Sequence, residues 1–193
     1  ARLADRVLEG FPGSFGRGRR AGHVGNPVRV EIAEIASPEG RCAGREGRAR
    51  LLVFGGSQGA ARLNAVLPAA IAELPAHLRP EVLHQTGSRG RDETVAAYRA
   101  RGIEADVRPF IDDMAARYAA ADLVICRAGA STVTELAAAG VASVLVPLPW
   151  AVDDHQTLNA RYLSERGAAI LIPQKEFTPN KLAGLLQSLS REK

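Results

Sequence analysis

The sequence predicts an α/β fold, with a parallel, Rossmann-like sheet and helices on both of its faces. From about residue 50 onward, short apolar runs alternate with Ala- and Leu-rich stretches of about ten residues, an order typical of strand–helix–strand units. The runs are apolar at successive positions, as in strands buried on both faces. Because such sheets bind ligands outside the carboxyl ends of their strands, the loops after these runs are the candidate sites.

Six apolar runs predict strands, and residues 28–32 predict an additional strand before them. The predicted strands span residues 50–54, 81–85, 106–111, 122–126, 142–146 and 168–172. The predicted helices span residues 60–74, 91–101, 112–120, 132–139, 155–166 and 179–189. Pro75, Gly102 and Gly140 end three of these helices, since proline breaks a helix and glycine adopts the left-handed conformation at its end.

The composition excludes several classes of protein. Hydrophobic residues make up 46% of the 193 and charged residues 24%, which excludes a disordered chain. No apolar run approaches the roughly 20 residues that a membrane-spanning helix needs. Cys42 and Cys126 are far apart, so we expect neither a disulfide framework nor a cysteine-based metal site. A reducing cytoplasm is the simplest setting for this composition.

The net charge of +4 is concentrated at the start of the chain. Residues 1–50 contain ten arginines and six acidic residues, whereas the rest of the chain is balanced. A basic segment can bind nucleic acid or anionic lipid. Aromatic residues are only 5% of the chain, which leaves few platforms for base stacking. We therefore expect no nucleic-acid partner.

The first candidate site is the Gly-rich turn of residues 55–60, between a predicted buried strand and a predicted helix. Glycines allow close approach of the backbone to a ligand, and the start of a helix offers unpaired N–H groups to a phosphate. The spacing is GGxxG, which matches neither the dinucleotide fingerprint GxGxxG nor a P-loop. A phosphate site and a plain tight turn with Ser57 as the helix N-cap both remain open from this segment alone.

The second candidate site is the segment of residues 127–135, which also follows a buried strand. Glu135 falls about one turn into the predicted helix, where a carboxylate can accept two hydrogen bonds from a vicinal diol such as ribose. The alternative is structural: Ser131 or Thr132 is the N-cap and Glu135 completes a capping box.

The third candidate site precedes the helix predicted from residue 155. Asp153, Asp154, His155 and Gln156 could bind sugar hydroxyls, and Trp150 could line a pocket. The alternative is that Asp154 caps the helix while His155 and Gln156 lie on the surface.

Acidic pairs and histidines give no further catalytic signal. The pairs at residues 112–113 and 153–154 have no third ligand nearby, so we expect no metal. His84 lies within a predicted strand, where a buried histidine with satisfied hydrogen bonds is a better interpretation than a catalytic one. His23 and His77 lie in predicted loops.

These segments together resemble the MurG family, the bacterial UDP-N-acetylglucosamine transferases of peptidoglycan synthesis. The matching segments are Gly25-Asn26-Pro27-Val28-Arg29, Val53-Phe54-Gly55-Gly56-Ser57-Gln58-Gly59-Ala60, His84-Gln85-Thr86-Gly87, Phe110-Ile111-Asp112-Asp113-Met114, Arg127-Ala128-Gly129-Ala130 with Thr132-Val133 and Glu135, and Asp154-His155-Gln156 with Asn159-Ala160. Their order and spacing match from about residue 11 to 170. One such segment is a weak signal, but six in order are specific.

The resemblance implies a GT-B fold, in which two Rossmann-like domains face a cleft, and it identifies this chain as the C-terminal, donor-binding half. It implies inverting transfer of N-acetylglucosamine from UDP-N-acetylglucosamine to lipid I, giving lipid II, without a metal or other cofactor. The implied donor-binding residues are Arg29, Ser57, Ile111, Ala130, Ser131, Thr132, Val133, Thr134, Glu135 and Gln156, with Gly56, Gln58 and His155 as further candidates.

The implied roles follow the parts of the donor. The backbone of Ile111 would contact uracil, Glu135 would hold the ribose hydroxyls, and a loop of residues 130–134 would wrap the nucleotide. Ser57 would meet the diphosphate, with Arg29 near it. The helix that follows this turn would stabilise the charge on the leaving UDP in place of a metal.

Gln156 would recognise the sugar hydroxyls, and His155 would lie beside it. The loop before these residues is slightly lengthened relative to the family pattern, so Gln156 is the firmer of the two assignments.

The resemblance also implies a domain division. Residues 1–27 would be the tail of an N-terminal domain and a linker, and residues 28–193 the UDP-sugar-binding domain, shortened at its C-terminal end. The glycine-rich loop with a histidine that serves the acceptor side in this family does not occur here, so the catalytic base is expected in that N-terminal domain. The implied location is the cytoplasmic face of the bacterial inner membrane, with peripheral association and lipid I bound through the other domain.

Three alternatives remain from the sequence. One is another GT-B enzyme, such as a glycolipid glycosyltransferase or a UDP-sugar epimerase. Another is a non-catalytic nucleotide- or NAD-binding module. The third is an interaction domain recruited to the membrane by Arg17, Arg19 and Arg20 with Phe11 and Phe15, for which an exposed linker is the simpler interpretation.

Overall fold

A six-stranded parallel sheet forms the centre of the computed structural model, which describes residues 4–13, 21–149 and 154–189. The strands of the chain are β1 (Leu8–Glu9), β2 (Gly22–His23), β3 (Arg50–Phe54), β4 (Glu81–Gln85), β5 (Asp106–Arg108), β6 (Leu123–Cys126), β7 (Ser143–Leu145) and β8 (Ala169–Leu171). The order across the central sheet is β5-β4-β3-β6-β7-β8. The first two strands pair with each other as a separate parallel ribbon.

The strand order reverses direction between β3 and β6. From β3 the chain proceeds outward through β4 and β5, then returns to the other side of β3 for β6, β7 and β8. The loops that leave β3 and β6 therefore diverge to opposite faces, and a crevice opens between them at the carboxyl edge of the sheet. The two most prominent motifs of the sequence begin at Gly55 and Arg127, at this same point.

Helices cover both faces of the sheet. They are α1 (Val30–Ala33), α2 (Pro38–Cys42), α3 (Ala61–Ala72), α4 (Arg91–Arg99), α5 (Met114–Ala120), α6 (Ala130–Ala139), α7 (His155–Ser164) and α8 (Pro179–Ser188). Alternate residues of β3 serve two cores: Leu51 and Val53 pack beneath α3, α4 and α8, whereas Leu52 and Phe54 pack beneath α1, α5, α6 and α7. The predicted Rossmann-like α/β fold is confirmed.

The predicted elements from residue 50 onward all exist, with shifted ends. The strands predicted at residues 50–54 and 81–85 have those bounds. The strand predicted at residues 106–111 ends at Arg108, because Pro109 has no N–H to donate to a neighbouring strand. The helix predicted at residues 132–139 begins two residues earlier, at Ala130.

The strand predicted at residues 28–32 is wrong, since this segment contains α1. Arg29 has extended backbone angles and is the N-cap of this short helix. Of the apolar residues in this segment, Ile32 is completely buried, whereas Val30 is 65% exposed. Ile32 is buried as part of a helix that contacts α5 and α6, and it belongs to no strand pair among the described residues.

The segment before residue 28 reaches the body of the domain at Phe11. Its ring lies 4.7 Å from the ring of Tyr162 on α7, centroid to centroid. Phe11 is thus packed against the domain, which weakens the alternative that it serves as a membrane contact. Phe15 and the arginines at positions 17, 19 and 20 lie outside the described residues.

No described helix combines the length and apolar character that crossing a membrane would require.

Candidate functional site

The glycine turn after β3 is locked against the loop after β4. Gly56 and Gly59 have positive φ angles of 85° and 75°, and the N–H of Gly59 donates to the carbonyl of Gly56 over 2.9 Å. A Cβ on Gly59 would collide with the carbonyl oxygen of Thr86, and a Cβ on Gly87 would come within 2.6 Å of the carbonyl oxygen of Gln58. The two loops therefore fit together only because both contact points are glycines.

Two amide side chains hold this pair of loops in place. The side chain of Gln85, a buried residue, donates from Nε2 to the carbonyl of Gly56 over 3.0 Å. Asn64, on α3, donates from Nδ2 to the carbonyl of Thr86 over 3.1 Å. Ser57 and Gln58 lie exposed at the tip of the turn. The result is a rigid base with a polar, accessible tip.

Ser57 is not the N-cap of the helix that follows. The N-cap of α3 is Ala60, which makes no side-chain capping bond. The first N–H groups of α3 therefore lack a side-chain cap, and they carry the partial positive charge of a helix start. This arrangement removes the structural explanation for Ser57 and leaves its hydroxyl available to a ligand.

The predicted loop of residues 130–134 is the beginning of α6. Gly129 is the N-cap, and the N–H of Val133 already donates to the Gly129 carbonyl over 2.9 Å. The expectation of a loop that wraps the nucleotide is wrong in this respect, because alanine favours the helix and glycine is accepted at the N-cap. Ala130 and Ser131 are exposed in the first turn, whereas the side chain of Val133 is buried in the core.

Glu135 takes part in no capping box, since its carboxylate is held by two other side chains. Arg29 donates from Nε to Oε1 over 3.0 Å, and the hydroxyl of Tyr118 donates to Oε2 over 3.2 Å. The Glu135 side chain is 13% exposed and that of Arg29 is 50% exposed. The site therefore presents a nearly buried acceptor, held in a fixed orientation in the second turn of α6.

Two further bonds hold the segments around Glu135. Asn26 donates from Nδ2 to the Thr134 hydroxyl over 3.0 Å, so the segment before α1 is attached to α6. Asn159, on α7, donates to the carbonyl of Ala128 over 3.0 Å. These contacts link three motifs that are far apart in the sequence.

Arg127 ties the carboxyl ends of three strands together. Its guanidinium donates to the carbonyls of Val146 and Pro147 over 3.0 and 3.2 Å, and to Oε1 of Gln174. Burial lowers the pKa of Arg127, because removal from water disfavours the charged guanidinium. This side chain fixes the base of the loop that runs from β7 to α7.

Gln156 lies in the first turn of α7, and its carbonyl accepts from the backbone N–H of Leu148 over 3.0 Å. Its amide nitrogen can then donate to a ligand. The preceding residue, His155, is exposed. Trp150 and Asp153, the other polar or aromatic candidates of this loop, lie outside the described residues.

Asp154 occupies the N-cap position of α7 with an unusual backbone. Its φ of 52° is the positive angle of a non-glycine residue, which costs roughly 1–3 kcal/mol where the surroundings enforce it. Its carboxylate makes no capping bond to the backbone and accepts instead from the hydroxyl of Thr157 over 2.7 Å. Asp154 therefore occupies the predicted N-cap position, but its side chain does not cap the backbone N–H groups of the helix.

Ile111 follows β5 and is 2% exposed, with its side chain in the same core as Tyr118. This burial fixes the backbone at Ile111. The sequence prediction assigned that backbone to the contact with uracil. Nearby, Asp113 accepts from Nε of Arg117 over 3.0 Å, and this bond lowers the pKa of Asp113. The described residues include no cluster of three or more His, Cys, Asp or Glu suited to a metal.

His84 is completely buried, as predicted, but the expectation that its hydrogen bonds are satisfied is wrong, since its Nε2 has no hydrogen-bonding partner among the described residues. Its Nδ1 lies 3.1 Å from the hydroxyl of Tyr98, and burial lowers the pKa of the imidazole to about 4. The ring is therefore neutral at neutral pH and belongs to the core beneath α4.

The comparison that decides the family is a match to the glycosyltransferase family 28 C-terminal domain over residues 50–193. The chain belongs to this family. The matched part of the chain contains the glycine turn and α6, whereas Asn26 and Arg29, which bond Thr134 and Glu135, precede it.

Relatives and solved structures agree with this family 28 assignment. The chain is 59% identical to the UDP-N-acetylglucosamine--N-acetylmuramyl-(pentapeptide) pyrophosphoryl-undecaprenol N-acetylglucosamine transferase of Azoarcus sp. (strain BH72), over 99% of the chain and 55% of that protein. The enzyme of the same name from Ralstonia nicotianae is 58% identical over 99% of the chain and 52% of the relative. The crystal structure of Acinetobacter baumannii MurG superposes with a TM-score of 0.84 at 40% identity, covering 97% of this chain and 52% of that one.

This family 28 chain thus spans about half the length of the relatives that it matches. The predicted resemblance to the MurG family and the predicted place of the chain in the C-terminal half of a GT-B glycosyltransferase are confirmed. The glycosyltransferase of kitacinnamycin, at 20% identity and a TM-score of 0.66, shares the fold. The division at residue 27, and the role of each site residue, stay predictions.

Sequence reasoning missed Tyr118 and Gln85 as parts of the site of this family 28 domain. Tyr118 lies within a helix, where the sequence indicates only a core aromatic residue. The fold brings its hydroxyl to Glu135. Gln85 carried a usable signal, because a polar residue at the end of an otherwise apolar strand needs a hydrogen-bonding partner.

Proposed function

We propose that this chain is the donor-binding half of an inverting glycosyltransferase that moves N-acetylglucosamine from UDP-N-acetylglucosamine to lipid I, forming lipid II. The observation that carries the proposal is the Glu135 carboxylate, held by Arg29 and Tyr118 in the second turn of α6. A carboxylate so placed suits a ribose diol. The names of the relatives supply the sugar and the acceptor.

The proposed donor lies across the crevice, with its diphosphate at the glycine turn. The N–H groups at the start of α3 and the hydroxyl of Ser57 would bind the phosphate oxygens. A helix start contributes up to about 2 kcal/mol to an anion in a partly buried position. This contribution grows as negative charge develops on the leaving UDP, so it would favour the transition state without a metal.

The two ends of the donor would be recognised by separate segments. The uracil would meet the backbone of Ile111, whose side chain is anchored in the core. The sugar would meet the amide nitrogen of Gln156, whose carbonyl is already engaged by the loop. Arg29, Gly56, Gln58 and His155 would border the donor, and no catalytic residue is proposed within this chain.

The transfer step needs groups that we assign to the half of the relatives that this chain does not span. An acceptor hydroxyl oxygen attacks the anomeric carbon of the sugar, the bond from that carbon to the phosphate oxygen breaks, and its electron pair leaves with UDP. A base takes the hydroxyl proton. We place this base, the lipid I site and any contact with the cytoplasmic face of the membrane in the other half.

A chimaeric enzyme tests the proposal. The N-terminal half of the Azoarcus relative would be joined ahead of residue 28 of this chain, and transfer of radiolabelled N-acetylglucosamine from its UDP donor to lipid I would be measured. We expect labelled lipid II, and loss of it in the same chimaera with Glu135→Ala. Preferred use of another nucleotide sugar, or another acceptor, would contradict the proposed function and favour a different GT-B enzyme.

A further inference from the structure

The contact between Tyr118 and Glu135 joins the core of the domain to the candidate site. Tyr118 is completely buried on α5, and its ring packs edge-on against that of Phe54, with 6.1 Å between the centroids. Phe54 is the last residue of β3. The hydroxyl of Tyr118 is therefore held by the sheet itself, and it reaches Oε2 of Glu135 at 3.2 Å.

We infer that Tyr118 is a positioning residue that orients the Glu135 carboxylate for a ribose diol and so sets a preference for ribonucleotides over 2′-deoxyribonucleotides. This inference rests on the proposed function and names one determinant of its specificity. Tyr118 acts through Glu135 and makes no contact with the nucleotide.

The count of hydrogen-bonding positions supports this role. An ionised carboxylate offers about four acceptor positions, two on each oxygen. Tyr118 takes one on Oε2 and Arg29 takes one on Oε1, so each oxygen keeps a position for one hydroxyl of a vicinal diol. A terminal carboxylate otherwise rotates in a broad torsional well. With the phenol in place, both free positions point in one fixed direction.

The buried phenol is better suited to this task than the arginine. The side chain of Arg29 is 50% exposed, and exposed ion pairs contribute little to fixing a geometry. Tyr118 is completely buried, so the surrounding core holds its hydroxyl in place. Burial also raises the pKa of Tyr118 far above its ordinary value, so the phenol remains a neutral donor at any pH the protein meets.

The test uses Tyr118→Phe, which removes the hydroxyl and keeps the ring against Phe54. Calorimetric titration of the 193-residue chain with UDP and with 2′-deoxy-UDP gives a ratio of the two dissociation constants. We expect UDP binding to weaken about three- to tenfold, the loss of one hydrogen bond, with a smaller change for 2′-deoxy-UDP. The ratio therefore moves toward one.

Tyr98→Phe is the matched control, because this buried phenol bonds His84 in the other core. We expect it to leave the ratio unchanged. In a Glu135→Ala background, Tyr118→Phe should have no further effect on UDP binding, since it acts through the missing carboxylate. Equal weakening for both nucleotides, or an undiminished effect without Glu135, would overturn the inference and indicate a merely structural role.

A second variant and the behaviour of the unaltered chain separate failure of this inference from failure of the proposed function. If a circular-dichroism melt shows Tyr118→Phe to be unfolded, Glu135→Asp provides the test, because its carboxylate is one methylene shorter and withdraws from an intact Tyr118. The expected result is again a ratio near one, and an unchanged ratio overturns the inference. Failure of the unaltered, folded chain to bind any uridine diphosphate overturns the proposed function, and this inference with it.

Discussion

At the residue scale, the contacts of Glu135 decide between the two roles that its place in the sequence allows. The sequence alone allowed either a capping box or a diol acceptor. The N-cap of α6 is Gly129, without a side-chain capping bond, and both carboxylate oxygens are engaged by Arg29 and Tyr118. The capping role is therefore not realised, and the interaction with a diol is the interpretation that the geometry favours.

Replacing Glu135 by alanine should weaken UDP binding by about 1–3 kcal/mol, because hydrogen bonds to a charged group are lost. Calorimetric titration with UDP measures this change. Glu104→Ala removes an exposed carboxylate in the loop before β5 and is the matched control. Equal affinity in the unaltered chain and in Glu135→Ala would contradict the ribose assignment.

His84 gives a prediction on stability against pH. The imidazole has a pKa of about 4 in the folded chain and about 6.5 when unfolded, so only the unfolded chain gains its proton as the pH falls from 6.5 to 4. The free energy of unfolding should therefore fall by about 2–3 kcal/mol over this interval because of His84. No such fall is expected above pH 7.

Urea unfolding of the unaltered chain and of His84→Gln, each at pH 7 and pH 4, measures this contribution. Other groups titrate in both proteins, so the difference between them isolates the histidine. The free energy of unfolding should fall more steeply for the unaltered chain. Parallel pH dependences would show that His84 is not held neutral by burial.

At the element scale, the turn after β3 and the loop after β4 act as one unit. Gly59 and Gly87 make the close backbone contacts, and Gln85 adds a hydrogen bond to Gly56. The exposed tip of the turn, where Ser57 lies, is thereby supported by a second strand. The proposed phosphate site at this turn would therefore depend on the loop after β4, although no residue of that loop is proposed to bind the phosphate.

Substituting Gly59 by alanine should test this unit. The residue has a φ of 75°, and its Cβ would collide with the Thr86 carbonyl, so we expect a loss of more than about 2 kcal/mol of unfolding free energy and weaker UDP binding. Gly102→Ala is the matched control, with a φ of 63° and nothing within 4 Å of the added Cβ. It should cost about 1 kcal/mol and leave UDP binding unchanged. Similar losses in both variants would contradict the interlocked arrangement.

The elements were predictable from sequence to the extent that local patterning determines them. The strand at residues 50–54 is an apolar run ended by glycines, and its predicted bounds are those observed. The early start of α6 and the helix at Val30–Ala33 were not predictable in this way, because tertiary packing decides both. Ile32, for example, has a strand-like local sequence and becomes helical where it packs on α5 and α6.

The candidate site was predictable in its parts and not in its connections. The glycine turn and Glu135 follow buried strands, so the sequence could point to both. The bonds from Arg29 and Tyr118 to Glu135 join positions 106 and 17 residues apart, and no local pattern encodes such a contact.

At the scale of the whole molecule, the reversal of strand order explains why the site lies where it does. The reversal between β3 and β6 opens one crevice, and the glycine turn, α6 and the Arg127 loop all border it. Except for Arg29, every residue proposed to bind the donor lies in a segment that follows a strand of this one sheet. We therefore expect the donor site to be complete within this chain, whereas the proposed transfer also needs groups from the half of the relatives that the chain does not span.

Calorimetric titration of the 193-residue chain with UDP-N-acetylglucosamine, UDP and NAD tests this central claim most directly, with a circular-dichroism melt to establish that the sample is folded. The account predicts saturable binding of UDP and of its sugar, with no binding of NAD. A folded chain that binds NAD as well as UDP, or that binds no uridine diphosphate, would contradict it.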